Sequence, residues 1–370
     1  SFKFFNLKSK KYLILSCLSL SMLTAVRVIG VYFFLIFLLL LFIEILENRK
    51  NKTGPIDVIM FVILFFSFTY IFWPFLWENP FGNFIYAISS MSNYNWSGDV
   101  FYLGNYHHSH FLPWHYSLTW ILISNSLGLM IIILLSFFFV ILRFFKRLIK
   151  VNDRNSNFTL WKNSTEFISF FNAILIISAI SLIIINNSTL YSGWRHIYFL
   201  FPSLLLIGII GIKFFLDYFR KNKKFLYLIK IFCILLISIN IFNLIKFHPY
   251  QNVYFNVFFE KKANKLFEKD YWGLSNVEML KKLAISSSEV YVCNVGLMDL
   301  NMSKKMLSKK ESRIIEVRGQ DFNDCNFVIK NNIFLSNPKY TKKYGVPGNF
   351  KKIYSMKRGN IVISEIFEKQ

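Results

Sequence analysis

Residues 197–245 read IYFLFPSLLLIGIIGIKFFLDYFRKNKKFLYLIKIFCILLISINIFNLI and contain two long apolar runs around a short basic segment. The runs are Ile197–Leu216 and Phe225–Ile245, and four of the five residues between positions 220 and 224 are Lys or Arg. A helix needs about 20 largely apolar residues to cross a bilayer, so each run is long enough for one crossing. This stretch predicts a protein whose chain crosses a membrane repeatedly.

The composition of the whole chain supports the same class. Its 370 residues are 54% hydrophobic and include 44 Phe, which is too apolar for an ordinary soluble domain. The formal net charge of +23 would suit nucleic acid, but the basic residues form short clusters between apolar runs rather than one stripe. We therefore predict a polytopic α-helical membrane protein with no nucleic-acid partner.

Six apolar runs are long enough to span a bilayer, and a seventh is short. Tyr12–Val26 is separated from the next run by Arg27, and it predicts either a short crossing or a re-entrant half-helix. The sequence thus predicts six to seven spans within a transmembrane domain of residues 1–247. The six long runs are Val28–Leu46, Asp57–Leu76, Leu118–Leu142, Phe167–Ile185, Ile197–Leu216 and Phe225–Ile245.

The distribution of Lys and Arg predicts which side each loop faces. Loops rich in these residues are typical of the cytoplasmic side, and loops that lack them face outward. The two kinds alternate here, which places residues 248–370 on the extracytoplasmic side. The basic loops are Glu47–Lys52, Arg143–Lys162 and Lys213–Lys224, and the outer loops are Trp77–Ser117 and Asn186–Arg195.

Residues 248–370 change character and predict a small extracytoplasmic α/β domain. Apolar residues at helical spacing predict a helix over Leu274–Ala284. A hairpin is predicted to turn at Arg358-Gly359. The predicted strands are Glu289–Val295, Arg313–Arg318, Asn326–Lys330, Lys352–Met356 and Asn360–Phe367.

Two cysteines of this region, Cys293 and Cys325, leave two interpretations open. They are buried thiols of neighbouring strands, or they form a disulfide if the region faces an oxidising compartment. Their spacing alone does not decide between the two.

Every histidine of the chain lies on the predicted outer side. Imidazole titrates near neutral pH, so gathering all such groups on one face indicates a site there. Three of them, in the sequence HHSH, could bind a divalent metal or hydrogen-bond hydroxyls or phosphate, and the absence of a strict motif such as HExxH favours the second role. No cofactor is certain, and a divalent metal stays open. The histidines are His107, His108, His110 and His115 in the long outer loop, and His196 and His248 beside later runs.

Asp99 is the one acid between Glu78 and Asp153. It is therefore the candidate in the outer loop for a general base or a metal ligand. Its alternative role is that of a turn residue after Gly98.

Arg195 and His196 lie where an apolar run begins on the outer side. An arginine there could hold a phosphate through two parallel hydrogen bonds, with His196 as a second donor. The alternative is an interfacial anchor for the helix.

Two further stretches carry polar and aromatic candidates. HPYQNVYFN, at His248–Asn256, includes Tyr250 directly after the last run. DYWGLS, at Asp270–Ser275, predicts a carboxylate acceptor for sugar hydroxyls beside the stacking surface of Trp272. The alternative is that these residues dock the outer domain on the membrane.

Several of these stretches together resemble bacterial integral-membrane glycosyltransferases of the GT-C type, which are relatives of the dolichyl-phosphate-mannose–protein mannosyltransferases. The resemblance covers most of the chain in order, and its last two motifs are the most specific. The resembling stretches are LPWHY at Leu112–Tyr116, GWRHIYFLFP at Gly193–Pro202, HPYQNVYFN at His248–Asn256 and DYWGLS at Asp270–Ser275.

The resemblance implies transfer of a sugar from a polyprenyl-phosphate donor to an acceptor at the extracytoplasmic face of a bacterial inner (plasma) membrane. Its partners would be the donor, membrane lipid and an unidentified acceptor. Two alternatives remain: a transporter or flippase of a lipid-linked saccharide, and a non-catalytic assembly subunit. The substrate-binding residues would be His107, His108, His110, His115, Arg195, His196, His248, Tyr250, Asp270 and Trp272.

The sequence departs from that family at its beginning. The principal catalytic acid of the family lies in the first outer loop, after the first spanning helix. Here the first apolar run begins at Tyr12 with no acidic outer loop before it, and the first residue is Ser1. We therefore expect an N-terminally truncated fragment without that acid, and the resemblance does not assign its role to Asp99.

Overall fold

The computed structural model describes residues 2–7, 9–46, 53–92, 96–149, 161, 163–296, 298–319, 321–331 and 345–370. The chain is mostly helical, and it divides into two compact units. The first, here called the helical unit, comprises Ser1–Trp96, Ile132–Thr189 and Tyr198–Tyr218. The second, the mixed unit, comprises Ser97–Ile131, Leu190–Ile197 and Phe219–Gln370. The predicted boundary at residue 248, between a membrane part and an outer part, stays a prediction.

The helices follow the apolar runs and begin at recognisable caps. α4 begins at Pro55, and the Asp57 carboxylate accepts the N–H of Gly54 at 2.9 Å. The helices are α1 (Phe2–Leu7), α2 (Lys10–Val26), α3 (Gly30–Leu46), α4 (Pro55–Phe72), α5 (Pro80–Ser92), α6 (Tyr116–Ile123), α7 (Leu127–Ile149), α8 (Ser164–Ile185), α9 (Phe201–Tyr218), α10 (Lys223–Phe247), α11 (Glu260–Leu266), α12 (Asn276–Ser286), α13 (Leu300–Lys304) and α14 (Lys309–Ile314).

The core of the helical unit is built from phenylalanine rings. Phe34 of α3 stacks on Phe61 and Phe65 of α4, with ring centroids 5.2 and 4.0 Å apart. α2 approaches α4 closely enough for Ser21 Oγ to donate a 2.9 Å hydrogen bond to the Phe65 carbonyl. Small polar residues on α2 therefore allow a tight helix contact that a larger side chain would prevent.

Five helical segments of the described residues are long and apolar enough to cross a membrane, so the prediction of six to seven spans was too high. α3 has only 17 residues, which at 1.5 Å per residue is about 25 Å against a hydrocarbon core of about 30 Å. α2 is equally short. Residues 47–52 and most of the predicted basic loop Arg143–Lys162 lie outside the described residues. The five segments are Pro55–Phe72, Leu127–Lys146, Ser164–Ile185, Arg195–Tyr218 and Lys223–Phe247.

The predicted span Leu118–Leu142 is interrupted, because α6 ends at Ile123 and α7 begins at Leu127. The sequence between them is Ser-Asn-Ser, whose side chains compete with the backbone for hydrogen bonds. Asn125 Nδ2 donates to the Ile121 carbonyl at 2.7 Å. Asn256 binds the next two carbonyls: its Nδ2 donates to Leu122 at 2.8 Å, and its backbone N–H donates to Ile123 at 2.8 Å. The break is thus built into the fold of the mixed unit.

The mixed unit contains a five-stranded sheet in the order β4-β3-β5-β7-β6. β3 pairs in parallel with β4 and β5, and the hairpin β6–β7 extends the sheet antiparallel from β5. A separate hairpin, β1–β2, lies earlier in the chain. The strands are β1 (Asp99–Tyr102), β2 (Asn105–His108), β3 (Val290–Val295), β4 (Ile315–Val317), β5 (Phe327–Asn331), β6 (Phe350–Arg358) and β7 (Ile361–Lys369).

The C-terminal elements largely confirm the sequence predictions. The predicted helix corresponds to α12, which buries Met279, Leu280 and Leu283. The hairpin turns at Gly359, whose φ of 56° favours glycine. The predicted strand Arg313–Arg318 was wrong in its first half, because α14 extends to Ile314. A Ser308–Glu311 capping box starts that helix, a signal that the apolar pattern alone does not show.

Cys293 and Cys325 form a disulfide, with their Cα atoms 5.8 Å apart. The bond links β3 to the turn that precedes β5, inside an apolar cluster of the sheet. Of the two interpretations left open by the sequence, the structure has the disulfide. Closing a segment of 32 residues stabilises the folded mixed unit by about 4 kcal/mol in the chain-entropy model.

Thiol counting tests this bond. When membranes are denatured in a maleimide without reductant, two of the four cysteines should react, namely Cys17 and Cys233. With reductant, mass spectrometry should count four. A C293A/C325A variant should give two under both conditions and should unfold at lower temperature. Four modified thiols in the unreduced wild-type protein would contradict the bond.

Candidate functional site

Three segments of the mixed unit converge: the hairpin β1–β2, residues 266–268 and residues 190–196. The chain at residues 266–268 runs along this hairpin: the Glu268 N–H donates to the Phe101 carbonyl at 3.2 Å, and the Gly104 N–H donates to the Leu266 carbonyl at 3.1 Å. Gly104 lies at the hairpin turn with a φ of 84°, which a two-residue turn of this kind requires. The hairpin therefore fixes the position of Glu268.

The third segment, residues 190–196, is attached to both others. The Leu190 N–H donates to the Ser109 carbonyl at 3.4 Å, just beyond the hairpin. The Gly193 N–H donates to Glu268 Oε1 at 3.0 Å and lies 3.2 Å from the hydroxyl oxygen of Tyr116. Gly193 has a φ of 72° and packs against the Trp120 ring. Only glycine accepts this backbone conformation without strain.

The histidines of the outer loop fall into two groups, because neighbouring residues of a strand point to opposite faces. His107 lies on the face of Tyr102, at 6.1 Å between ring centroids. His115 joins this group, with its Nδ1 2.6 Å from the Tyr102 hydroxyl. Burial and, to a lesser extent, the charge of His115 lower the pKa of His107. The lowered pKa favours the neutral form of the His107 imidazole.

The other face of the hairpin carries the second group. Asp99 and His108 are directly opposed across the two strands. His108 Nε2 is 3.1 Å from Ser97 Oγ, and the rings of His108 and His110 stack at 5.2 Å. The predicted loop of histidines is thus divided, and Asp99 lies with His108 rather than with His107 and His115.

Glu268 is the residue that the sequence analysis missed. It is 6% exposed, and burial raises the pKa of its carboxyl to about 7, although the N–H groups of Gly193 and Ser192 and the charge of Arg195 act to lower it. A carboxyl that titrates near neutral pH can exchange a proton under physiological conditions. The available signal was the position of Glu268, an acid two residues before the quoted DYWGLS motif.

Arg195 is held between aromatic rings. Its guanidinium carbon lies 4.6 Å from the centroid of Tyr191 and 5.5 Å from that of Trp272. We call these two rings the Arg195 cage. His196 lies against one of them, with its ring centroid 4.5 Å from that of Tyr191. Within the described part of the chain, Arg195 Nε is buried without a hydrogen-bond partner. The structure thus brings Arg195, His196 and Trp272 of the predicted site together.

Asp270 faces the sheet instead of this site. It is 1% exposed and accepts hydrogen bonds from the Leu274 and Ser275 N–H groups at 3.0 and 3.1 Å. The Ser275 hydroxyl and Asn331 Nδ2 occupy its second oxygen, at 2.5 and 3.1 Å. Burial raises the pKa of Asp270. This geometry favours a structural role over the predicted contact with sugar hydroxyls.

His248 and Tyr250 have other neighbours. His248 is exposed, with its Nδ1 3.1 Å from the side-chain nitrogen of Gln251. Tyr250 donates a 2.7 Å hydrogen bond to Glu278 of α12, and Arg358 lies over its ring at 4.9 Å. These contacts join the end of α10 to the C-terminal sheet region rather than to the Arg195 cage.

The side chains that could bind a metal are dispersed in the part of the chain that the structure describes. Among the described residues, no three His, Cys, Asp or Glu side chains are grouped so that they could hold a metal ion. The division of the histidines between two faces of the hairpin explains this, since His107 points away from His108.

Comparison of the chain with protein-family models, with curated proteins and with solved structures finds no match in any of the three.

The raised pKa of Glu268 predicts how stability changes with pH. Between its ordinary value of 4.5 and about 7, the folded protein binds more protons than the unfolded chain, so stability should fall as pH rises through this window and level off above it. The full change is roughly 3 kcal/mol, at 1.36 kcal/mol per pKa unit. In thermal unfolding of detergent-solubilised protein, E268Q should lose this component because its amide does not titrate.

The exposed residue Glu289 provides the matched control. E289Q should keep the pH dependence of the wild-type protein. An E268Q curve parallel to wild type from pH 5 to 8 would show that Glu268 does not titrate in this range.

Proposed function

We propose that this chain forms the donor-phosphate side of a membrane glycosyltransferase, which moves a sugar from a polyprenyl-phosphate carrier to an acceptor at the extracytoplasmic face. The observation that carries the proposal is the cage around Arg195, at the start of the candidate span Arg195–Tyr218. A guanidinium at the end of an apolar helix lies where the phosphate of a membrane-anchored donor would be found. The GT-C resemblance of the quoted motifs suggests the same substrate.

The aromatic cage suits a phosphate clamp. The rings of Tyr191 and Trp272 lie within about 6 Å of the guanidinium carbon and would restrict its orientation, while its N–H groups bind an anion in the proposal. Negative charge grows on the donor phosphate as the sugar leaves, and a preoriented cation stabilises that charge without reorganisation. In the proposal, Arg195 binds the leaving phosphate and His196 supports it.

The sugar side would be formed by the aromatic and imidazole groups of the hairpin. Trp272 is 55% exposed and offers a flat apolar face for a sugar ring. His107, whose neutral form is favoured in this environment, can donate or accept a hydrogen bond to a hydroxyl. Glu268 is buried and interacts with the charge of Arg195, and we assign it to positioning of the Gly193 loop. Asp99 stays the candidate base of the outer loop.

The extracytoplasmic location is supported by two observations. Disulfides persist in oxidising compartments, which suits a mixed unit that contains the Cys293–Cys325 bond. Five crossings also leave the alternation of basic and neutral loops intact, with residues 248–370 on the outer side of a bacterial inner membrane.

Arg195 provides the direct test of the transfer reaction. With a radiolabelled polyprenyl-phosphate sugar and membranes that contain the full-length protein, R195A should reduce transfer about 100-fold or more, since one lost donor to a developing anion has an effect of this size. R195K should recover part of the rate, and R318A, which changes an arginine paired with Glu316 at 3.1 Å, should transfer normally.

The same assay separates the competing functions. Movement of the label across the membrane without bond cleavage would indicate a transporter or flippase. Neither movement nor transfer would indicate an assembly subunit. Normal turnover by R195A would remove the phosphate clamp from the proposal.

Sidedness is tested by single cysteines in a background without the native ones. Cysteines introduced at Asn105 and Lys261 should both react with an impermeant maleimide from outside intact cells. One at Lys221, in the predicted cytoplasmic loop, should react only after permeabilisation. Labelling of Asn105 and Lys261 from opposite sides would separate the two halves of the proposed site.

A further inference from the structure

The mixed unit contains an apolar cavity beside the Arg195 cage, and Trp272 borders both. The volume of the cavity is about 540 Å³, large enough for a length of hydrocarbon chain. One wall comes from the DYWGLS segment, a second from the residues that follow α10, and a third from α13 and the residues just beyond it. The lining includes Pro249, Tyr250, Trp272, Leu274, Met302 and Met306.

The cavity lies next to the end of a candidate membrane span. α10 ends at Phe247, and Pro249 of the cavity wall follows two residues later, so their Cα atoms are at most about 7 Å apart. None of the apolar window of α10 is buried within the protein. An apolar helix with so little buried surface would face lipid in a membrane, and a cavity next to its end would lie close to that lipid.

The rim of the cavity is apolar and exposed. Met302 is 66% exposed and Met306 is 74% exposed, and Trp272 and Leu274 across from them are also exposed. Methionine side chains are flexible and adapt to irregular apolar ligands. A cluster of large exposed apolar side chains of this kind marks a surface that contacts a membrane or a ligand.

The opposite wall is held rigid by the fold. The carboxylate of Asp270 binds the Leu274 and Ser275 N–H groups, and Gly273 has a φ of 61° in the same turn. These contacts fix Leu274 and Trp272 at the cavity before any ligand arrives. The buried acid that the sequence suggested for sugar binding thus serves to shape this wall.

The segment that contains Met302 and Met306 is rich in lysine. Residues 300–310 read LNMSKKMLSKK and contain four lysines and no acid. Lys304 and Lys305 lie in the sequence between Met302 and Met306, which both line the cavity. Basic side chains next to a membrane surface attract anionic lipid headgroups.

We propose that this cavity holds the hydrocarbon chain of an anionic phospholipid from the surrounding bilayer, with Lys304 and Lys305 binding the phosphate. The lipid would anchor the mixed unit to the membrane surface. This inference goes beyond sugar transfer. The cavity shares Trp272 with the proposed sugar site, but the lipid contacts of Met302, Met306 and the lysines do not involve Arg195.

Photo-crosslinking in nanodiscs tests the proposal on the full-length protein. A phosphatidylglycerol with a diazirine near the end of its acyl chain should label peptides that contain residues 272–277 and 298–306. M302D/M306D should reduce this labelling about tenfold or more, because the chain would have to contact charged groups. I285D, which adds the same charge at a residue 84% exposed on the end of α12, should label like wild type.

A second set of variants tests the contact with the lipid headgroup. Removing Lys304 and Lys305 should weaken labelling about fivefold per lysine, whereas K351A, at an exposed lysine of β6, should not change it. The same probe with a phosphatidylcholine headgroup should label these peptides less than phosphatidylglycerol. The proposal would be overturned if the probe labelled only the spanning helices of the wild-type protein, or if it labelled M302D/M306D as strongly as wild type. The contact between the lysines and the phosphate would be overturned if the two headgroups gave equal labelling. Peptide mapping of the wild-type protein is decisive even if a variant fails to fold.

Discussion

The hydrogen bond from the Gly193 N–H to the Glu268 carboxyl is the contact on which the candidate site depends. It joins two segments that are 75 residues apart in sequence, one leading into a candidate span and one leading into the C-terminal sheet region. Both partners are suited to the contact in a way that few substitutions would preserve. Glycine provides the left-handed backbone, and the buried carboxyl provides an acceptor that water does not reach.

Arg195 gains its position from this contact. Two residues after Gly193, its guanidinium lies near enough to Glu268 for the charges to interact, yet burial still raises the pKa of that acid to about 7. Desolvation therefore outweighs the attraction of the arginine, as expected where a carboxyl is fully enclosed and the cation is only partly so. Among the described residues Arg195 forms no close ion pair, and its guanidinium lies against the rings of Tyr191 and Trp272. Such a cation keeps affinity for an external anion, which a salt-bridged one would lose.

The sequence predicted the parts of this protein that follow from local pattern. Long apolar runs predicted the helices that are candidates to cross a membrane, and alternation with a glycine turn predicted the C-terminal hairpin. What it missed follows from contacts between distant residues. The break between α6 and α7 depends on Asn256, and the division of the histidines depends on a hairpin register that composition does not reveal. Glu268 was missed because its burial comes from the hairpin and the Gly193 loop, neither of which is close to it in sequence.

Glu268 and Asp270 show how backbone conformation separates acids that composition would group together. Two residues apart in an extended chain, their side chains would point to the same face. Asp270, however, has a φ of 44°, which turns the chain and directs its carboxylate to Ser275 and Asn331. Glu268, still extended beside the hairpin, faces Gly193. The left-handed conformation of Asp270 thus directs its own carboxylate to the wall of the apolar cavity, while Glu268 stays beside the Gly193 loop that leads to Arg195. Because Trp272 lies two residues after Asp270 and borders both the cavity and the Arg195 cage, this turn sets the geometry of the two sites together.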